Sequence, residues 1–109
     1  MDDLLNKKCI PCEGGVLSLT KEEAEKYLTQ VSGWILNEKA QKISKEFKFK
    51  NFIEAIEFVN KIASVAEKEG HHPDIHINYN KVLLELSTHT IGGLSENDFI
   101  LAAKISNKI

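Results

Sequence analysis

Arginine is absent from this chain of 109 residues, because all fourteen of its basic residues are lysine. The planar guanidinium group that grips phosphates and carboxylates through two parallel hydrogen bonds is therefore missing, which disfavours a substrate with a phosphate tail. Sixteen acidic residues give a formal net charge of −2. Since nucleic-acid binding needs clustered positive charge, we expect no nucleic-acid partner.

Long hydrophobic runs are also lacking. No apolar run approaches the ~20 residues needed to cross a bilayer, and the N-terminus lacks the basic-then-apolar order of a signal peptide. These absences predict a cytoplasmic protein with no membrane partner. The composition, 42% hydrophobic and 28% charged, is typical of a soluble globular domain.

The chain has only two cysteines, Cys9 and Cys12. A zinc ribbon would need a second pair, and a thioredoxin-like redox pair would open a helix, whereas a Gly-Gly turn follows here. We therefore expect the pair to be neither a metal site nor a catalytic site. Because no periodicity is sustained before Thr20, we predict an N-terminal arm over residues 1–19 and a single domain over residues 20–109.

Three capping signals predict three helices. Each is a side chain that can accept a hydrogen bond from a backbone N–H of the first turn, ahead of a helical pattern. The predicted helices run from Thr20 to about Val31, from Asn51 to Gly70, and from Ser95 onward.

Alternation of apolar and polar residues predicts two hairpins. The first joins a strand at 34–36 to one at 43–49, and the second joins 75–79 to 82–88 through a turn at Asn80-Lys81. The element order is αββαββα. It predicts an α+β domain whose four-stranded antiparallel sheet carries helices packed on one face.

All four histidines, His71, His72, His76 and His89, fall within nineteen residues of sequence. Pro73 forces extended backbone after the second of them, so His72 and His76 lie ~13 Å apart at ~3.3 Å per residue. That separation is too large for both to bind one ion, and we predict no metal site. His76 alternates with isoleucines and is interpreted as a surface residue of its strand.

Two interpretations of the adjacent histidines remain open. Imidazoles supply acid–base catalysis near neutral pH without large environmental tuning. Alternatively, a cation suits the C-terminus of a helix, so His71 and His72 are simply solvated cap residues. Glu67, one turn before Gly70, either orients a histidine or is an exposed helix residue.

Three motifs follow one another in the second half of the chain: His71-His72-Pro73-Asp74, Ser87-Thr88-His89, and Gly93-Leu94-Ser95 with Asp98. In this combination they resemble the pterin-4a-carbinolamine dehydratases. The likeness extends upstream through Gly33-Trp34, so it covers nearly the whole chain. The family's fold, a four-stranded antiparallel sheet with helices on one side, agrees with the predicted order.

The resemblance implies dehydration of 4a-hydroxytetrahydropterin to quinonoid dihydropterin, which recycles the cofactor of aromatic amino acid hydroxylases. Such a hydroxylase would then act in the same pathway, and the reaction needs no cofactor. Carried over by motif, His71, His72 and His89 are the catalytic histidines. We expect His71 and His89 to be the acid–base pair and His72 to position the substrate.

The resemblance also implies a set of substrate-binding residues. The pterin's amide and amino edge needs paired donors and acceptors. Trp34 either stacks on the pterin ring or fills the core. Gly70 and His76 depart from the family's pattern, and we expect His76 to be dispensable. The predicted substrate-binding residues are Glu67, Gly70, Ser87, Thr88, Thr90 and Trp34.

The resemblance implies a homotetramer or homodimer, and an open four-stranded sheet leaves two unpaired edges that self-association can cover. Two other functions remain open. One is a non-enzymatic binding module, such as a dimerisation cofactor or transcriptional coactivator. The other is a pterin-handling role in molybdopterin metabolism.

Overall fold

A computed structural model describes Leu4, Lys7 and residues 18–107, so that Cys9 and Cys12 lie outside the described residues. Three α-helices and a four-stranded antiparallel sheet follow one another in the order αββαββα, which confirms the predicted fold class. The boundary between arm and domain stays a prediction. The elements are α1 (Lys21–Leu28), β1 (Ile35–Leu36), β2 (Ile43–Lys48), α2 (Phe52–Glu69), β3 (Asp74–Asn78), β4 (Lys81–Leu86), a 3₁₀ turn (His89–Ile91) and α3 (Glu96–Ser106).

The first helix begins at the predicted capping box. Thr20 Oγ1 accepts a hydrogen bond from the backbone N–H of Glu23, and the Glu23 carboxylate accepts one from the backbone N–H of Thr20. α1 ends at Leu28 rather than at Val31. The hydroxyl of Thr29 donates to the carbonyl of Lys26 at 2.7 Å, which satisfies one of the last helical carbonyls.

The strand order in the sheet is β1-β2-β4-β3, so β4 lies between β2 and β3. Val82, Leu84 and Leu86 on β4 are fully buried on the face that the helices cover. β4 ends at Leu86 rather than at Thr88. The cause is that Thr88 leaves the ladder and forms an isolated antiparallel bridge with Gly93.

The other strand boundaries differ from prediction by one residue. Trp34 precedes β1 instead of opening it, and only Ile35 and Leu36 pair with β2. The turn between β3 and β4 falls at Tyr79 and Asn80, one residue early, because Tyr79 adopts a left-handed conformation with φ of 53°.

The core lies between the helices and the buried face of the sheet. α3 contributes most to it: Phe99, Leu101 and Ile105 are fully buried, as is the polar side chain of Asp98. Leu4, in the predicted arm, also packs in this core. None of the described helices is both long enough and apolar enough to span a bilayer.

Candidate functional site

A polar cavity of about 410 Å³ opens at the end of the sheet where β4 finishes. One wall is the segment 70–74 between α2 and β3, the other is the segment 87–90 after β4, and Asn97 of α3 completes the lining. The structure thus brings together seven of the predicted site residues, which are Gly70, His71, His72, Ser87, Thr88, His89 and Thr90.

The end of α2 places the two adjacent histidines in this wall. Gly70 has φ of 67° and ψ of 27°, a left-handed conformation in which glycine carries no steric penalty. The backbone N–H of His71 donates to the carbonyl of Ala66, which completes the helix end. Pro73 then commits the chain to extended backbone, so His71 and His72 leave the helix directly at the cavity.

His71 contacts a buried carboxylate. Its Nε2 lies 2.6 Å from Asp98 Oδ1; the His71 side chain is 12% exposed and that of Asp98 is 0% exposed. The other oxygen, Oδ2, accepts from the Thr88 hydroxyl at 2.9 Å and from the backbone N–H of Ser95 at 3.0 Å. As a carboxylate, Asp98 only accepts, so His71 Nε2 is the donor and Nδ1 is the nitrogen that can take up a proton.

His72 has a carboxylate partner of a different kind. Its Nε2 lies 2.6 Å from Glu67 Oε1, but the two side chains are 58% and 78% exposed. Because solvent screens such a pair, the contact orients His72 without holding it rigidly. Glu67 itself does not line the cavity. Glu67 contacts a histidine of the site and is also an exposed helix residue, so both of its interpretations stay open.

His89 is exposed and opens the 3₁₀ turn instead of ending a strand. The bridge between Thr88 and Gly93 folds the chain back at this point, and the backbone N–H of Gly92 donates to the His89 carbonyl. His89 and Thr90 still line the cavity, on the wall formed by the segment after β4. The two histidines expected to act as acid and base thus come from different walls.

Trp34 and His76 lie elsewhere. Trp34 is 4% exposed, packs edge-on against Phe47 and donates from Nε1 to the Ser106 hydroxyl at 3.3 Å. It fills the core and is not among the residues of the cavity, so the prediction that Trp34 binds the substrate is not supported. His76 is exposed on its strand and contacts Glu85 Oε1 at 3.0 Å.

Sequence reasoning missed part of the lining and the carboxylate behind it. In the sequence, Asp98 belongs to a motif of the family resemblance but is assigned no role in the site, and as a carboxylate three residues after Ser95 it also fits a capping box. Nothing in the pattern marked Asn97. In the part of the chain that the structure describes, no group of three or more His, Cys, Asp or Glu side chains could hold a metal ion.

The cavity thus combines one histidine held by a buried carboxylate with two more histidines, which are the kinds of groups that general acid–base chemistry uses. Comparison with known proteins gives the family. The family model described as pterin 4 alpha carbinolamine dehydratase matches residues 17–108. This chain belongs to that family.

Individual relatives agree with this assignment. Proteins provisionally named pterin-4-alpha-carbinolamine dehydratase are similar to this chain in Rickettsia canadensis, with 51% identity over 100% of both chains, and in Nitrosomonas europaea, with 54% identity over 94% of this chain and 90% of the relative. A crystal structure described as a transcriptional coactivator/pterin dehydratase from Brucella melitensis superposes with a TM-score of 0.78 and 36% identity. The superposed region covers 83% of this chain and 96% of the Brucella melitensis chain.

Proposed function

We propose that this protein dehydrates 4a-hydroxytetrahydropterin to quinonoid dihydropterin. In that reaction the C4a–O bond breaks, the hydroxyl leaves with a delivered proton as water, N5 loses its proton and a C4a=N5 double bond forms. The reaction therefore needs one acid and one base, with no redox step. Family membership supports the pterin as substrate, and the polar cavity supplies the groups.

The contact between His71 and Asp98 is the observation that carries the proposal. We assign His71 as the base that removes the N5 proton through Nδ1. Asp98 then holds the opposite nitrogen in its N–H form and stabilises the imidazolium that develops, as the carboxylate of a catalytic triad does. A solvated helix-cap histidine has no need of such a buried, fully hydrogen-bonded partner.

We assign His89 as the acid that delivers a proton to the leaving hydroxyl. It lines the same cavity as His71 but comes from the segment after β4, so a ring bound there can contact histidines from two segments of the chain. His72 positions the substrate, and Glu67 orients His72 through their 2.6 Å contact.

The remaining polar residues divide into two roles. The Thr88 hydroxyl donates to Asp98 and contacts Ser95 Oγ at 2.8 Å, and its side chain is almost fully buried. We therefore assign Thr88 to positioning Asp98. Ser87 and Thr90 line the cavity and are left to bind the amide and amino edge of the pterin.

The wider setting belongs to the same proposal. We place the activity in the cytoplasm, in a homotetramer or homodimer, and in the recycling of a cofactor for an aromatic amino acid hydroxylase. A role in molybdopterin metabolism would use the same site. A purely non-enzymatic binding module would not accelerate the reaction at all.

Stopped-flow dehydration of synthetic 4a-hydroxytetrahydropterin tests the proposal. Catalytic concentrations of the protein should raise the rate at least ~10²-fold above that of buffer, the usual range of general acid–base catalysis. A rate equal to that of buffer, with a folded protein, would contradict it.

A further inference from the structure

Two contacts between a carboxylate and a basic side chain are largely buried in the described part of the chain, and both join residues 69–71, at the end of α2, to α3. One is the contact of His71 with Asp98. In the other, Lys104 Nζ lies 2.8 Å from Glu69 Oε2; the Glu69 side chain is 6% exposed and that of Lys104 is 17% exposed. In the remaining contacts of this kind among the described residues, both side chains are at least 21% exposed.

Glu69 and Lys104 both occupy core-facing positions of their helices. Ile62, Ala66 and Glu69 are spaced by four and three residues, so they lie on one face of α2, and the first two are buried. On α3, Lys104 follows the fully buried Leu101 by three residues. An apolar side chain would ordinarily pack at such positions, because a buried charge is costly unless it is paired.

A buried pair of this kind contributes little to net stability. The free energy lost when two charges leave water is similar in size to their attraction, and an apolar pair of similar volume often packs as well. Removing one partner is different, because it leaves a buried charge without compensation. What such a contact can still supply is a constraint on geometry, here between the end of α2 and α3.

The junction between α2 and the histidines needs such a constraint. Gly70 is exposed, and a Cβ added to it would meet no atom within 4 Å. The backbone N–H groups of Gly70 and His71 donate to carbonyls of α2, so these bonds hold the junction to its own helix and not to α3. On either side of Gly70, the side chains of Glu69 and His71 reach α3.

We propose that Glu69 and Lys104 are positioning residues, whose contact holds the His71 imidazole on Asp98 and so fixes the position of Nδ1 at the cavity. This inference rests on the proposed function, because the orientation of His71 affects a rate only if His71 is the base. The hydrogen bond to Asp98 fixes one point of the ring. Nδ1 lies on the other side of the ring, so its position also depends on where the backbone of His71 is held. A displacement of ~1 Å is enough to slow a reaction ~10²-fold.

Dehydration kinetics of variants, measured where circular dichroism shows them folded, test the contact. Lys104→Met removes the cation and keeps most of the side chain, so it should lower kcat about tenfold and leave KM within about twofold. Glu69→Leu should have the same effect. Lys104→Arg keeps a cation for the carboxylate and should stay within about threefold of the wild-type kcat. Lys68→Met, which removes an exposed lysine beside Glu69, is the matched control and should change neither parameter.

A double variant shows whether the two side chains act through their contact. In Glu69→Leu with Lys104→Met, an apolar contact replaces the buried pair, so the end of α2 again packs on α3. We expect its kcat to recover to within about threefold of wild type, whereas two independent effects would multiply to a loss of ~10²-fold. A loss equal to the product of the single effects would overturn the inference.

A measurement on the His71 ring does not depend on turnover. Side-chain ¹⁵N NMR in alkaline buffer, where imidazoles are neutral, reports which ring nitrogen carries the proton, and the signals lost in His71→Gln identify that ring. The Nε2–H form should dominate in the wild type and in Lys68→Met. Lys104→Met and Glu69→Leu should each give a mixture of the two N–H forms.

Failure of this inference and failure of the proposed function give different results. If the folded single variants keep the wild-type kcat and the wild-type His71 signals, and only their urea midpoints fall, the pair is merely structural and the inference is overturned. If either variant does not fold, Glu69→Gln keeps the size of the side chain and should still lower kcat at least about twofold; an unchanged kcat would overturn the inference. Absence of turnover in the wild type would overturn the proposed function, while the NMR signals would still decide whether Glu69 and Lys104 position His71.

Discussion

His71 and Asp98 are 27 residues apart in sequence, yet His71 Nε2 lies 2.6 Å from Asp98 Oδ1. The second oxygen of the same carboxylate accepts from Thr88 and from the backbone of Ser95. One buried side chain therefore caps α3, holds the segment after β4 and orients an imidazole at the end of α2. The Asp98 carboxylate thus contributes both to the packing of the fold and to the geometry of the site.

Replacing Asp98 should affect catalysis and stability separately. Asp98→Asn keeps the size of the side chain but removes the charge that stabilises the His71 imidazolium. We expect kcat to fall ~10²-fold, as when a base loses the group that orients it, and the free energy of unfolding to fall by about 1–3 kcal/mol. Stopped-flow kinetics and urea unfolding measure the two effects.

Ser95→Ala is the matched control, because it removes the capping hydroxyl of α3 and keeps Asp98. It should cost about 1 kcal/mol of stability and leave kcat within about threefold. If both variants lowered kcat equally, the effect of Asp98→Asn would reflect a weakened helix end and not the orientation of His71.

The exposed pair of His72 and Glu67 should influence substrate binding more than turnover. His72→Ala is expected to raise KM by more than it lowers kcat, and Glu67→Gln should change KM in the same direction by less. Both side chains are mostly exposed, so thermal unfolding should shift by no more than about 0.5 kcal/mol in free energy. A large fall in kcat with constant KM would instead indicate that His72 takes part in the acid–base chemistry.

Trp34 provides a test of the core assignment. Trp34→Phe removes the hydrogen bond to Ser106 and part of the packing against Phe47, so it should lower the free energy of unfolding by about 1–3 kcal/mol. KM should stay constant, since Trp34 does not line the cavity. A raised KM with unchanged stability would instead indicate stacking on the pterin.

Glu85 should make a small, pH-dependent contribution to stability. Its pKa is lowered from the ordinary value of 4.5 in the folded state, by Lys42 first and His76 second. A lowered pKa stabilises the fold above pH 4.5, and the stabilisation is lost as pH falls through the folded-state pKa. Glu85→Gln should thus cost up to about 1 kcal/mol at pH 7 and nothing in strong acid.

Urea unfolding of the wild type and Glu85→Gln at pH 7 and below pH 4 measures the difference. A constant difference over this range would show that packing, not charge, is the contribution of Glu85.

Local signals explain why so much of the fold could be predicted. The capping box at Thr20 and the alternation along β4 depend on neighbouring residues alone, so the helices and strands follow from the sequence. The ends of helices and strands were less predictable where pairing outside the regular helix or ladder decides them. β4 stops at Leu86 because Thr88 pairs with Gly93, and that bridge leaves no mark in the alternation.

The same distinction applies to the site. His71 and His72 are adjacent in the chain and come with Pro73, so their exit from a helix could be predicted. The carboxylate that contacts His71 lies on another helix. Because a capping box is enough to explain an aspartate at position 98, nothing in the sequence indicated that Asp98 also contacts His71. Trp34 had no local feature to separate core packing from ring stacking, and only the three-dimensional structure places it.

The central claim is that His71 and His89 are the acid–base pair, and stopped-flow dehydration by single variants tests it most directly. His71→Ala and His89→Ala should each lower the rate by ~10² or more. His71→Gln, which keeps a donor for Asp98, should be as slow while preserving the fold, and His76→Gln should keep the wild-type rate. Near-normal rates in the His71 and His89 variants, with folding intact by circular dichroism, would contradict the account.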